Sequence, residues 1–209
     1  MPHDENRIAS SRDAGTLRFY GEEAARLAVR PLPARPWGHI EIFLKRLPQG
    51  AAILDLGCGA GRDSAFFIEK GFAPLSVDGS PEMAALAARR LGRTVPVMEF
   101  SDLAFEAAFD GIWAQASLQH VPRSALPGIL DRLYRALLPS GILYASFRAG
   151  AGEHRDLFGR YYNMPDAGFL RAVFQESGAW QDLLILSRRA PADDGVMAEW
   201  LIAFAQKAS

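Results

Sequence analysis

Between positions 51 and 147, short apolar runs alternate with stretches whose apolar side chains recur every three or four residues. A short run bounded by glycine or proline suits a buried strand, and the longer spacing suits an amphipathic helix. This pattern predicts strands at Ala51–Leu56, Ala73–Asp78, Val95–Phe100, Phe109–Ser117 and Ile142–Phe147. Helices are expected over Gly61–Lys70, from Ser80-Pro81-Glu82 to Leu91, and over Arg123–Leu138. Ser80 is the expected cap of the second of these, with proline in the first turn and an acid near the positive end of the dipole. Upstream, Leu17, Tyr20, Ala24 and Leu27 share one side of a helix over Thr16–Arg30. Pro31, Pro33 and Pro36 break it, and a second helix is expected from Trp37 to Leu47. Downstream come a polar loop, a helix opening near Pro165-Asp166, and strands near Leu183–Ser187 and Glu199–Ala205.

Strands separated by helices require crossover connections, which build a parallel sheet covered on both faces. Ligands of such α/β sheets bind beyond the carboxyl ends of the strands, where the strand order reverses. The site is therefore expected in the strand-end loops.

The chain has 209 residues, 49% of them hydrophobic, which suits one domain with a substantial core. The reading is a flexible tail over 1–14, then a single domain over 15–209 that includes an N-terminal helical lid at 15–48. A formal net charge of −1 gives no overall basic character for gripping nucleic acid. Cys58 is the one cysteine, so the chain cannot close a disulfide on itself. No apolar run reaches membrane-spanning length and no signal-peptide core is visible, so a soluble, cytoplasmic protein is expected. His3, His39 and His154 lack metal-ligand spacing, and no metal is expected.

The segment that carries chemistry is Ile53-Leu54-Asp55-Leu56-Gly57-Cys58-Gly59-Ala60-Gly61-Arg62-Asp63-Ser64. Glycine tolerates positive φ and lets a ligand approach the backbone, and a turn opening a helix favours anionic groups. A dinucleotide fingerprint would place its third glycine at position 62, which is Arg62. Asp78 follows Gly57 by 21 residues at a strand end, where an acid can hold ribose hydroxyls.

The spacing Asp55-x-Gly57-x-Gly59-x-Gly61 resembles the first motif of class I S-adenosylmethionine (SAM)-dependent methyltransferases. Phe109-Asp110-Gly111-Ile112-Trp113, Leu118-Gln119-His120-Val121 and Leu138-Pro139-Ser140-Gly141-Ile142-Leu143 resemble later family segments. Gly61-Arg62-Asp63, Asp78-Gly79-Ser80-Pro81 and Ala145-Ser146-Phe147 are similar to a small-molecule subgroup related to tellurite-resistance methyltransferases. The resemblance implies a Rossmann-like, doubly wound sheet of seven mostly parallel strands with the last antiparallel. It implies SAM as cofactor, S-adenosylhomocysteine as product and a small-molecule acceptor. It implies cofactor contacts from Asp55, Gly57, Cys58, Gly59, Gly61, Arg62, Asp78, Gly79, Ser80, Ser101, Asp102, Leu103, Ala116 and, from the lid, Tyr20.

Methyl transfer from a sulfonium needs mainly proximity and alignment, and a base only where the acceptor arrives protonated. His120, just beyond the fourth strand, is the candidate base. Arg148 could hold an anionic acceptor, and Tyr161 and Tyr162 could wall the pocket. The alternatives are a non-catalytic SAM-binding regulator and a methyltransferase acting on protein. Ala116-Ser117-Leu118-Gln119 lacks the Asp/Asn-Pro-Pro-aromatic motif of nucleic-acid amino methyltransferases. The sequence leaves the oligomeric state open.

Overall fold

The computed structural model describes residues 13–29, 38–192 and 195–209. The tail through residue 12, the turn at Pro31, Pro33 and Pro36, and the expected helix start at Trp37 lie outside them. The main sheet is built from β1 (Ala52–Leu56), β2 (Ala73–Val77), β3 (Phe109–Ala114), β4 (Leu137–Arg148), β7 (Trp180–Pro191) and β8 (Met197–Lys207). Their order is β2-β1-β3-β4-β8-β7. The first four strands run parallel, and β8 runs antiparallel between β4 and β7. Strand order reverses at β1, between β2 and β3, so the site is expected there.

Strand parity sorts the core. Leu54, Ile112, Leu143 and Ala203 point to one face, under α6 (Leu126–Ala136) and α7 (Ala167–Ser177). Ile53, Trp113, Tyr144 and Phe204 point to the other, where Ile40, Phe43 and Leu44 of α3 (His39–Lys45) and Phe67 of α4 (Arg62–Glu69) cover them. Trp113 and Tyr144 stack there with ring centroids 3.8 Å apart.

The seven-stranded sheet is corrected to six strands among the described residues. The segment expected as a third strand, Val95–Phe100, makes one isolated parallel bridge, from Val97 to Asp78. Pro96 can accept from Asp78 but has no N–H to donate, and the chain turns into a 3₁₀ helix at Phe100–Asp102. The single helix expected over Thr16–Arg30 is two: α1 (Ala14–Glu22), capped by the Asp13 carboxylate on Thr16 N–H, and α2 (Ala24–Val29). α1 therefore begins inside the expected flexible tail. Both helices lie against α5 (Pro81–Leu91). The polar loop after β4 holds an unexpected hairpin of β5 (Gly152–Arg155) and β6 (Tyr161–Met164).

Candidate active site

At the reversal point β1 ends in the glycine loop. Gly57, Gly59 and Gly61 have φ of +72°, +54° and +74°, which side-chain-bearing residues rarely adopt. A Cβ on Gly57 would lie 2.5 Å from the Ser117 Cβ, and one on Gly61 would press on Ala87 of α5 at 3.1 Å. A Cβ on Gly59 would meet nothing within 4 Å, because this residue borders a cleft of about 330 Å³. Residues of the glycine loop, the β2 end and the β3 end form much of the wall, and α1 adds Thr16, Leu17 and Tyr20.

Asp78 is half-buried, and its two oxygens accept from Gly59 N–H at 2.8 Å and Ser80 N–H at 2.9 Å. Burial raises its carboxyl above the ordinary range, and these two bonds oppose the rise. The same side chain thus fixes the loop and faces the cleft. Asp78→Ala is expected to weaken SAM binding by about 1–3 kcal/mol, the scale for buried groups left without a partner. It should also lower the melting temperature, because two loop N–H groups lose their acceptor. Calorimetry and thermal melting check both effects, and unchanged affinity would confine Asp78 to the structural role.

Asp55 is buried below the loop, with the Ser64 hydroxyl donating to it at 2.5 Å. Burial, then the Asp63 and Asp78 carboxylates, push its pKa from 3.8 up to about 8. The folded state then binds more protons than the unfolded chain between those values, so Asp55 makes stability fall as pH rises across that window. A cation in the cleft favours the ionised form. SAM binding near pH 7 should therefore release protons and tighten as pH rises toward 8. Calorimetry in buffers of different ionisation enthalpy measures the release, which Asp55→Asn should abolish. No proton release in the unsubstituted protein would remove Asp55 from the coupling.

His120, at the end of a 3₁₀ turn, is buried with its Nδ1 at 2.7 Å from the Tyr161 carbonyl. A carbonyl only accepts, so Nδ1 carries the proton. In the neutral ring Nε2 is then an acceptor, and the Tyr20 hydroxyl donates to it at 3.0 Å. Ser117 Oγ, also on the cleft wall, is buried and makes no hydrogen bond among the described residues. Burial and the nearby Asp55 and Asp78 raise the Cys58 thiol far above its ordinary value, so it is no nucleophile at neutral pH.

Of the residues expected to contact the cofactor, Asp55, Gly57, Cys58, Gly59, Arg62, Asp78, Gly79, Ala116 and Tyr20 line the cleft. Gly61 packs on α5, and Ser80 caps that helix on Met83 N–H, so neither borders it. Ser101, Asp102 and Leu103 also lie outside. Asp102 is exposed and accepts from Glu99 N–H, while Leu103 is in the core. Met98, Glu99 and Phe100 form that wall, because the chain leaves the sheet earlier than a full strand would. Arg62 donates to the Leu27 and Ala28 carbonyls, both at 3.0 Å, and so ties α2 over the loop. Arg148, Tyr161 and Tyr162 are not on the cleft wall. Tyr161 acts through its carbonyl, and Tyr162 lies beneath His120 with ring centroids 4.8 Å apart. Gln115, Asp63 and the α1 residues Thr16 and Leu17 were missed by sequence reasoning. Asp63 and the α1 segment adjoin motifs legible there, and Gln115 gave no signal.

The chemistry of the wall fits a cationic nucleoside. Asp55, Asp63, Asp78 and Glu99 supply carboxyl groups, and Arg62 is the one cleft-lining Lys or Arg among the described residues. SAM carries an ammonium and a sulfonium against one carboxylate, so its net charge suits that wall. Among the described residues, no group of three or more His, Cys, Asp or Glu side chains could hold a metal ion. No helix there is long and apolar enough to cross a membrane.

A doubly wound sheet with a glycine loop and a strand-end acid at its reversal point defines a Rossmann-like nucleoside-cofactor protein. Residues 53–141 match the family model described as a methyltransferase domain. The chain is 38% identical over 181 residues to trans-aconitate 2-methyltransferase of Variovorax paradoxus, covering 74% of this chain and 68% of that protein. Its fold is similar to 1,6-didemethyltoxoflavin-N1-methyltransferase of Burkholderia thailandensis, with TM-score 0.73, 24% identity and coverage of 99% and 94%. A TehB-like SAM-dependent methyltransferase of Corynebacterium glutamicum aligns with TM-score 0.65, 23% identity and coverage of 93% and 100%. The chain belongs to the SAM-dependent methyltransferase family and is a methyltransferase enzyme with SAM as its cofactor.

Proposed function

We propose that this enzyme methylates a small, uncharged acceptor that arrives bearing an O–H or N–H, with Tyr20 and His120 as the proton path. The observation that carries this reading is the Tyr20 hydroxyl, set in the cleft and hydrogen-bonded to an acceptor-type nitrogen of His120. SAM, when bound, supplies a methyl group already activated on a sulfonium. The glycine loop, Asp78 and the Met98–Phe100 wall are the residues proposed to hold it. α1 and α2 act as a lid, tied down by Arg62 on the α2 carbonyls and by the Asp13–Arg155 ion pair. Burying the reacting groups excludes water.

As the acceptor atom gains the methyl group, its proton passes to the Tyr20 oxygen and the Tyr20 proton passes to His120 Nε2. The imidazolium is held by the Tyr161 carbonyl on Nδ1. The absence of a lysine or a second arginine from the described cleft wall favours a neutral acceptor over an anion, which would want bidentate donors there. A carboxylate acceptor is the second reading, supported by the name of the Variovorax relative. Such an acceptor needs no base.

The test is turnover of methyl-labelled SAM against panels of phenols, amines and carboxylic acids, with products identified by mass spectrometry. Methylated phenol or amine supports the first reading and methyl ester the second. Label found only in protein would make it a protein methyltransferase. Tight SAM binding with no labelled product from any panel would overturn the hydroxyl, amine and carboxylate readings alike.

A further inference from the structure

We infer that β7 is a homodimer edge, pairing antiparallel with β7 of a second copy about a two-fold axis through Ile185. β7 closes the sheet order on one side, and among the described residues no strand pairs with its outer edge. An open edge presents unpaired N–H and C=O groups, and proteins that keep such an edge monomeric blunt it with prolines, inward charges or short strands. β7 is 12 residues long, and its stretch Asp182-Leu183-Leu184-Ile185-Leu186-Ser187-Arg188 contains no proline; its register shift lies before this stretch, between Trp180 and Asp182, and its charges, Asp182 and Arg188, are of opposite sign. Pro191 comes only at the end.

The side chains on this edge are self-complementary. Asp182, Leu184, Leu186 and Arg188 point to one face, opposite Gln206, Phe204, Ile202 and Trp200 of β8. Leu184 and Leu186 are each 40% exposed on a face whose inner part is covered by α3. A two-fold axis perpendicular to the sheet at Ile185 places Leu184 opposite Leu186 twice and Asp182 opposite Arg188 twice, all on that face. Four leucines then cover one another between two pairs of opposite charge. Directly opposed apolar and opposite-charge pairs are the favourable cross-strand units of an antiparallel ladder. On the other face the same register sets Leu183 against Ser187 and Arg189 against Gln181, with no like charges opposed. Slipping the register by one residue moves Asp182 and Arg188 out of opposition and breaks the leucine match. The arrangement is isologous, as a closed two-fold dimer requires. The cleft lies at the other side of the strand order, so the dimer leaves it open.

Sedimentation equilibrium of the full chain across the micromolar range tests this. The unsubstituted chain should populate a dimer. Asp182→Arg and Arg188→Asp should each weaken it by about tenfold or more, since each converts two attractive pairs to repulsive ones. The combined D182R/R188D chain should recover dimerisation to within about threefold of the original. Both residues are exposed, so far-ultraviolet circular dichroism should not change and will show that folding is intact, while melting temperature should fall only as far as the weakened association requires. A chain monomeric throughout overturns the proposal. So does a dimer indifferent to both single substitutions, or a folded combined variant that fails to recover.

Discussion

Replacing Gly59 with valine is expected to abolish SAM binding while leaving the sheet folded. The position has φ of +54°, where a side chain strains the backbone by roughly 1–2 kcal/mol, more for a β-branched residue. Unlike Gly57 and Gly61, it has no protein atom within 4 Å of the added Cβ, so the new side chain enters open space at the cleft border instead of the core. Affinity should fall by more than about 100-fold, equivalent to roughly 2.7 kcal/mol. Gly57→Ala provides the contrast. Its Cβ would sit 2.5 Å from the Ser117 Cβ, so that variant should lose stability first and binding as a consequence. Calorimetry with SAM and thermal melting on both variants separate the two effects. A folded Gly59→Val chain with normal SAM affinity would move the cofactor away from the glycine loop.

His120→Ala is expected to reduce turnover by about 10²–10⁴-fold with little change in SAM affinity, the range typical of lost general-base assistance. The imidazole has both ring nitrogens engaged, by the Tyr20 hydroxyl and the Tyr161 carbonyl. Tyr20→Phe should lower kcat in the same direction, because it removes the hydroxyl and keeps the ring packed against Phe19. Single-turnover rates at saturating SAM with an identified hydroxyl or amine acceptor make the measurement. If both variants keep full turnover with such an acceptor, the proton path is wrong. If they lose SAM affinity instead, His120 belongs to the cofactor wall.

Local chemistry wrote most of the fold into the sequence. The β1 strand, the glycine loop and the start of α4 follow from apolar run, glycine spacing and helix start within a dozen residues. The switch from strand to helix period marked the crossovers, and these fixed where the strands carry ligands. Asp78 was legible for the same reason: a strand end at a set distance from the loop leaves few positions for an acid. The missing strand at Val95–Phe100 was not legible, because its composition suits a strand and only pairing decides how far it stays in the sheet. That decision moved the cleft wall from Ser101-Asp102-Leu103 to Met98-Glu99-Phe100.

The tertiary structure alone decided what His120 touches. Tyr20 lies 100 residues earlier, and the Tyr161 carbonyl comes from a hairpin that the polar loop did not announce. Arg62 was expected only as a cofactor contact, and the packing of α2 above the loop gives its guanidinium two backbone carbonyls as well. Strand and helix patterns are set by neighbours in the chain, whereas the partner of a long polar side chain is set by whichever distant backbone packs within its reach.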